Sequence, residues 1–244
     1  MVGNALAALD VAQGVSSHAV TLADGCLVRN EWVCGEYLST RRGELWDALV
    51  QHTTITVVSV LLGLAVAVPV ALVARRWRWL EQLVLGTSTI IYTIPSLALF
   101  SLLLPFTGLS ATTVVVGLVL YSLTILVRAI VGGLAAVPDA VIESARGMGY
   151  GERRLLWQVR VPLALPSVMA GVRVAAVSTV ALTTVGAVVG HGGLGDLIYQ
   201  GLRTLFKPQV LAASVLCVAL AITVDLLLLA AQRAATPWRR SRSA

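Results

Sequence analysis

The stretch ESARGMGYGERRLLWQVRVP, residues 143–162, decides how this chain is read. It carries Arg146, Arg153, Arg154 and Arg160 with two glutamates, yet apolar sequence lies on both sides of it. Pro138 followed by Asp139 is a helix-start signal, and Glu143, Ala145 and Arg146 are good helix formers. Gly147, Gly149 and Gly151 then interrupt the helix with backbone freedom that other residues lack. From Glu152 onward, Leu155, Leu156 and Val159 return to one face of a second helix, which Pro162 is expected to end. Two short helices meeting at a glycine turn make either a stiff polar knob or an amphipathic hairpin lying on lipid headgroups.

Outward from that segment the composition sets the class. Of 244 residues, 57% are hydrophobic and only 12% charged, with a mean hydropathy of +0.87. Soluble domains average about 25% charged residues, so the chain reads as an all-α integral membrane protein. The net charge of +6 does not point to nucleic acid, because the arginines cluster beside apolar runs and not along one soluble face. The first twenty residues lack a basic start and a sustained apolar core, so no cleavable signal is expected.

A crossing needs about 20 mostly apolar residues. Five segments qualify, at about 53–74, 83–105, 111–134, 163–189 and 210–231. They divide the chain into an extracytoplasmic segment 1–52, a transmembrane domain 53–231 with a cytoplasmic loop 137–162, and a basic tail 232–244. Pro69 and Pro95 are expected to interrupt the first two spans. Small residues, as in GAVVG at 186–190, fit close helix packing better than a dimer motif. Arg75, Arg76 and Arg78 follow the first span, the opening stretch follows the third, and Arg233, Arg239, Arg240 and Arg242 follow the fifth. The uncharged loop PFTGLSATT lies on the other side. By the positive-inside rule the N-terminus is outside and the C-terminus in the cytoplasm.

Cys26 and Cys34 then face an oxidising space and either form a disulfide or remain two thiols. No metal site is expected, since His18, His52 and His191 lie far apart in sequence. No GxxxxGK[ST] phosphate loop occurs, so an ATP site is not expected on this chain.

In its spacing, the stretch resembles the cytoplasmic loop of permease subunits of ATP-binding-cassette importers. That family's pattern is Glu-Ala-Ala, three residues, Gly, nine residues, then Ile-x-Leu-Pro. Here Glu143-Ser144-Ala145, Gly149 and Val159-Arg160-Val161-Pro162 keep the spacing, with serine for one alanine and valines for isoleucine and leucine. The resemblance implies the type I importer core of five spans, with a coupling helix between the third and fourth. Glu143, Ser144, Ala145 and Gly149 would dock on a separate ATPase, which holds ATP and Mg, and Pro162 would set the exit into the next span.

The segments YTIPSLALF at 92–100, GLVLYSLTILVRAIVGGL at 117–134 and GHGGLGDLIYQG at 190–201 resemble permeases for osmoprotectants such as glycine betaine, choline, carnitine or proline-like solutes. The GGLG turn is also similar to methionine-importer permeases, so methionine or another amino acid is the competing cargo. The resemblance covers residues from about 45 onward. It implies a bacterial cytoplasmic-membrane complex of two permeases, identical or paralogous, with an ATPase dimer and an extracellular solute-binding protein that would supply the aromatic cage for a quaternary amine.

Tyr92, Pro95, Ser96 and Tyr121 are the candidate pathway residues, the tyrosines being alternatively packed residues with satisfied hydroxyls. Gly192, Gly193 and Gly195 are the candidate outer gate. Arg173 and Asp225 are near enough to pair and, with Arg128 as an anchor, count as structural charges. A passive channel would need a filter ring of charges or carbonyls, and a membrane enzyme a convergent His/Asp/Glu or Ser/His/Asp set. The spans offer neither.

Overall fold

The computed structural model describes residues 25–238. His18 and the tail arginines Arg239, Arg240 and Arg242 lie outside the described residues. In chain order the helices are α1 (Gly35–Thr40), α2 (Arg42–Ala74), α3 (Arg78–Thr93), α4 (Ser96–Thr107), α5 (Ala111–Ala135), α6 (Asp139–Gly147), α7 (Glu152–Leu155), α8 (Val161–Thr183), α9 (Leu194–Thr204) and α10 (Lys207–Ala235). A π turn, Leu156–Arg160, joins α7 to α8, and a 3₁₀ stretch, Thr184–Val189, prolongs α8. No strand occurs among the described residues. By length and composition α2, α5, the run Glu152–Val189 and α10 can each cross a membrane. The pair α3–α4 adds a fifth crossing if taken as one broken span.

The packing is that of a protein whose solvent is lipid. The buried face of α2 carries Leu45 and Ile55 near its start and otherwise small or polar residues at helical spacing, His52, Thr56, Ser59, Gly63, Ala67, Ala71 and Ala74. Most of its other large residues, Val57, Leu61, Leu62 and Val73 among them, point outward. Lipid tails are as apolar as leucine, so helices gain most from small residues that let backbones approach. α5 sits at the centre between α2 and α8. At its crossing with α8 a Cβ on Gly171 would lie 2.1 Å from that of Ala129. Side chains tie the rest together: Thr124 on α5 donates to Ser88 on α3 at 2.6 Å, and Gln232 on α10 donates to Pro166 on α8 at 2.9 Å.

Two expectations are corrected, at Pro69 and at Pro162. α2 begins at Arg42, ahead of the expected start of the first crossing. It also runs unbroken through Pro69, because one missing N–H inside a long helix is tolerated where neighbouring helices support it. Pro95, by contrast, does break its span: α3 and α4 meet at 98°, since Ile94 before the proline takes an extended ψ of 126°. Pro162 does not end the coupling helix. The chain stays helical from Glu152 to Val189, and the wide turn at Leu156–Arg160 accommodates the proline ring and its absent donor just ahead of α8.

Candidate functional site

At one end of the bundle α6 and α7 form the knob. Its turn is a Schellman motif: Gly149 donates to Arg146 O at 2.9 Å and Tyr150 to Ala145 O at 3.1 Å. Gly149 has φ +83°, and a Cβ there would meet nothing within 4 Å. Of the three glycines only this one uses a left-handed backbone. Val137, Ile142, Ala145 and Leu155 form a small buried core with Tyr150 and Val159 against it. Arg146 pairs with Glu152 at 2.8 Å across the turn, and Arg154 lies 4.4 Å over the Tyr150 ring.

Glu143 and Ser144 are exposed, Ser144 donating to Ala140 O at 2.7 Å. Ala145 is 3% exposed, which corrects its expected place on the docking surface: its small side chain lets α6 close on Leu155. Pro162 is half-buried in continuous helix. Met148 and Trp157, at 70% and 55% exposure, are the apolar groups of the knob that the motif spacing does not single out.

At the opposite end lies the glycine turn. Gly193 has φ +58°, and a Cβ there would fall 2.7 Å from the backbone nitrogen of His52. On Gly195 a Cβ would fall 2.4 Å from Thr184 Cα, and on Gly192 2.4 Å from Ala187 N. All three are buried, so they are glycines because other backbone occupies the side-chain space. Asp196 accepts the Gly192 N–H with both carboxylate oxygens, at 3.0 and 2.9 Å. His52, fully buried, lies between the Gly192 and Val180 carbonyls. Below it Thr56 and Thr183 share a 3.2 Å hydroxyl contact. Sequence reasoning passed over His52 and Asp196, because the histidine's partners lie 128 and 140 residues away.

The break at Ile94 and Pro95 is braced from α5. Tyr121, 5% exposed, donates its hydroxyl to Ile94 O, and its ring meets Tyr92 edge-on at 5.8 Å. That satisfies a carbonyl freed at membrane depth, where an unpaired group costs several kcal/mol. Tyr92 is half exposed, and Pro95 and Ser96 cap and begin α4. Arg173 on α8 and Asp225 on α10 form a two-pronged pair, Nε to Oδ1 at 2.9 Å and Nη2 to Oδ2 at 2.7 Å. Arg128 reaches across to the Thr89 hydroxyl on α3.

Beside the glycine turn, Cys26 and Cys34 are joined as a disulfide with Cα atoms 5.5 Å apart. Glu36 lies near both sulfurs, but sulfurs bonded to each other are not thiolate ligands. Within the loop they close, Asn30 donates to Leu205 O and accepts from Lys207 N, each at 2.8 Å. Leu205 itself is left-handed, φ +56°, in a second Schellman turn made by Phe206 N to Gly201 O at 2.8 Å. Tyr37 stacks edge-on against Phe206 at 5.6 Å. The N-terminal loop therefore holds the connection between α9 and α10.

Comparison with known proteins places these features. The family model described as "binding-protein-dependent transport system inner membrane component" matches residues 59–241. The choline transport system permease protein OpuBB of Bacillus subtilis (strain 168) is 34% identical over 203 residues, 83% of this chain and 93% of that protein. The osmoprotectant import permease protein OsmW of Salmonella typhimurium is 34% identical over 207 residues, 82% of this chain and 96% of that one. Among solved structures, an inward-facing conformation of the MetNI methionine ABC transporter superposes with a TM-score of 0.72 at 23% identity, covering 81% of this chain and 98% of that one. An amino acid ABC transporter crystallised with histidines gives 0.69 at 18%, covering 82% and 99%. At those identities the structures speak for the fold, which is the type I importer permease core.

Proposed function

Since the chain belongs to the family of binding-protein-dependent transport system inner membrane components, we propose that it is the permease subunit of an ATP-driven importer for quaternary-amine osmoprotectants. The observation that carries the cargo class is the group of relatives at about a third identity over most of both chains, choline, carnitine and osmoprotectant permeases alike. Methionine, the competing cargo, has support only at the level of fold.

In this reading the chain is not itself an enzyme. A partner ATPase dimer holds ATP and Mg, two permease chains line the path, and an extracellular binding protein delivers the solute. The N-terminus and the disulfide face outward, the knob and the basic tail the cytoplasm. The ATPase grips the knob through Glu143, Ser144, Met148 and Trp157 around Gly149. Closing of the ATPase dimer biases the permease pair between inward- and outward-facing states, and the glycine turn forms part of the outer closure. Tyr92, half exposed beside the broken span, is the pathway aromatic.

Uptake of labelled glycine betaine or choline by the reconstituted complex tests the proposal. Uptake should need both ATP and the binding protein. ATP-independent flux would make the chain a passive pore. Uptake of methionine in place of the quaternary amines would keep the importer and replace the cargo.

A further inference from the structure

At the disulfide end of the bundle a groove of about 430 Å³ runs between the start of α2 and the start of α10. Leu211 and Val215 line it from α10, and Trp32 from the disulfide loop. On α2 it is lined by Arg42, Trp46 and Leu49, whose four- and three-residue spacing puts them on one face of the helix. Among the described residues Arg42 is the one charge that lines it; nearly everything else is apolar. From Pro208 to Leu216 the groove follows eight residue steps of α10, about 12 Å. That is close to the depth of one leaflet, half of a hydrocarbon core about 30 Å thick.

The groove opens onto the outward flank of α10. Val215 continues into Val218, Ile222 and Leu226 at helical spacing, each more than half exposed, and almost none of the apolar run of this helix is buried. Its mouth has another character. Trp32 and Trp46 are both more than half exposed beside Arg42, and tryptophan with arginine at the end of a spanning helix is the composition of the headgroup boundary. The cations there are not all engaged alike. Arg41 is taken by Glu44 at 3.1 Å and Arg29 by Glu31 at 3.2 Å. Arg42 makes no ion pair among the described residues, and neither does Lys207, which begins α10 and lies 5.9 Å from the centre of the Trp32 ring. The mouth therefore offers two cations without a carboxylate partner, above an apolar slot. An anion with a hydrocarbon tail satisfies both.

We infer that the groove is a binding site for an anionic phospholipid drawn from the leaflet at the disulfide end. Arg42, with Lys207 near it, holds the phosphate, and one acyl chain lies along Trp46, Leu49, Leu211 and Val215. α2 and α10 touch each other little, so the chain fills the space between two helices that the protein itself leaves apart. The site needs neither cargo nor ATPase.

The test uses the full-length chain in phosphatidylcholine nanodiscs that carry a trace of a photoreactive lipid. Two probes bear the same diazirine in one acyl chain, one under a phosphatidylglycerol headgroup and one under phosphatidylcholine, and mass spectrometry of proteolytic fragments locates the adducts. Residues 45–49 and 211–216 should be labelled about fivefold more by the phosphatidylglycerol probe. Equal labelling by the two probes would mean bulk lipid contact and overturns the site. Labelling by neither would mean that protein, such as a second copy of this chain, covers the groove, and overturns it as well. Arg42→Gln should bring the phosphatidylglycerol yield down to that of phosphatidylcholine, whereas Arg203→Gln, on α9 beside Tyr199, should leave it unchanged. An undiminished yield in the first variant, or an equal fall in the second, overturns the assignment of the headgroup to Arg42. Leu211→Trp fills the groove and should remove the adducts of both probes with Arg42 still in place. Should a variant fail to fold, the ratio of the two probes on the parent chain still decides. Because no readout involves cargo, the importer reading can fail while the lipid site stands, and the reverse.

Discussion

The two glycine turns of this chain occupy opposite ends of the bundle and use glycine for opposite reasons. At Gly149 the backbone is left-handed and the space beyond it is empty. At Gly192, Gly193 and Gly195 the side-chain space is filled by the backbone of Ala187, His52 and Thr184. The knob turn leaves its surface free for another molecule, whereas the other turn has consumed its own surface in packing. A partner can grip the first directly. It can reach the second only by moving the helices that hold it.

The largest expected effect falls on the packed turn. Gly195→Ala forces a Cβ into the Thr184 backbone and should cost about 3 kcal/mol or leave the protein unable to accumulate, as thermal unfolding in detergent and membrane yield would show. A loss under about 1 kcal/mol would break the contrast. Next comes Ala145→Leu, which overfills the core of the knob and should cost about 1–3 kcal/mol, while the adjacent Ser144→Leu stays within about 0.5 kcal/mol. Equal losses would mean that the knob has no inside. Gly149→Ala should cost about 1 kcal/mol, from the left-handed backbone alone. Gly149→Trp should add little to that in stability yet abolish co-purification with the ATPase, and intact binding would count against a docking role. The smallest effect has the opposite sign. Leu205→Gly relieves the non-glycine residue in the second Schellman turn and should stabilise by up to about 1 kcal/mol, read as a rise in Tm.

Much of this was legible in advance. Four of the expected crossings, the turn at Gly149 and the proximity of Arg173 to Asp225 follow from apolar run length, motif spacing and span position. What escaped is non-local. Pro69 and Pro95 look alike in the sequence, and only the helices around them determine that one is absorbed and the other breaks its span. Ala145 holds its place in the motif, but whether it faces a partner or Leu155 depends on how α7 folds back. The α2 helix carries almost no apolar asymmetry because lipid and protein interior are both apolar, so its stripe of small residues, and His52 with it, is hard to see. Asn30 holds a turn about 175 residues away, which no local pattern announces.

The helix from Glu152 to Val189 runs 38 residues without a stop, a rod of about 57 Å at 1.5 Å per residue. One tip is the second arm of the knob and the other leads into the glycine turn. A tilt of about 5° at the knob would sweep the far tip by about 5 Å, close to one helical pitch. The π turn at Leu156–Arg160 and the 3₁₀ stretch at Thr184–Val189 are the two places where this run departs from α geometry, and there a stroke would be either passed on or absorbed.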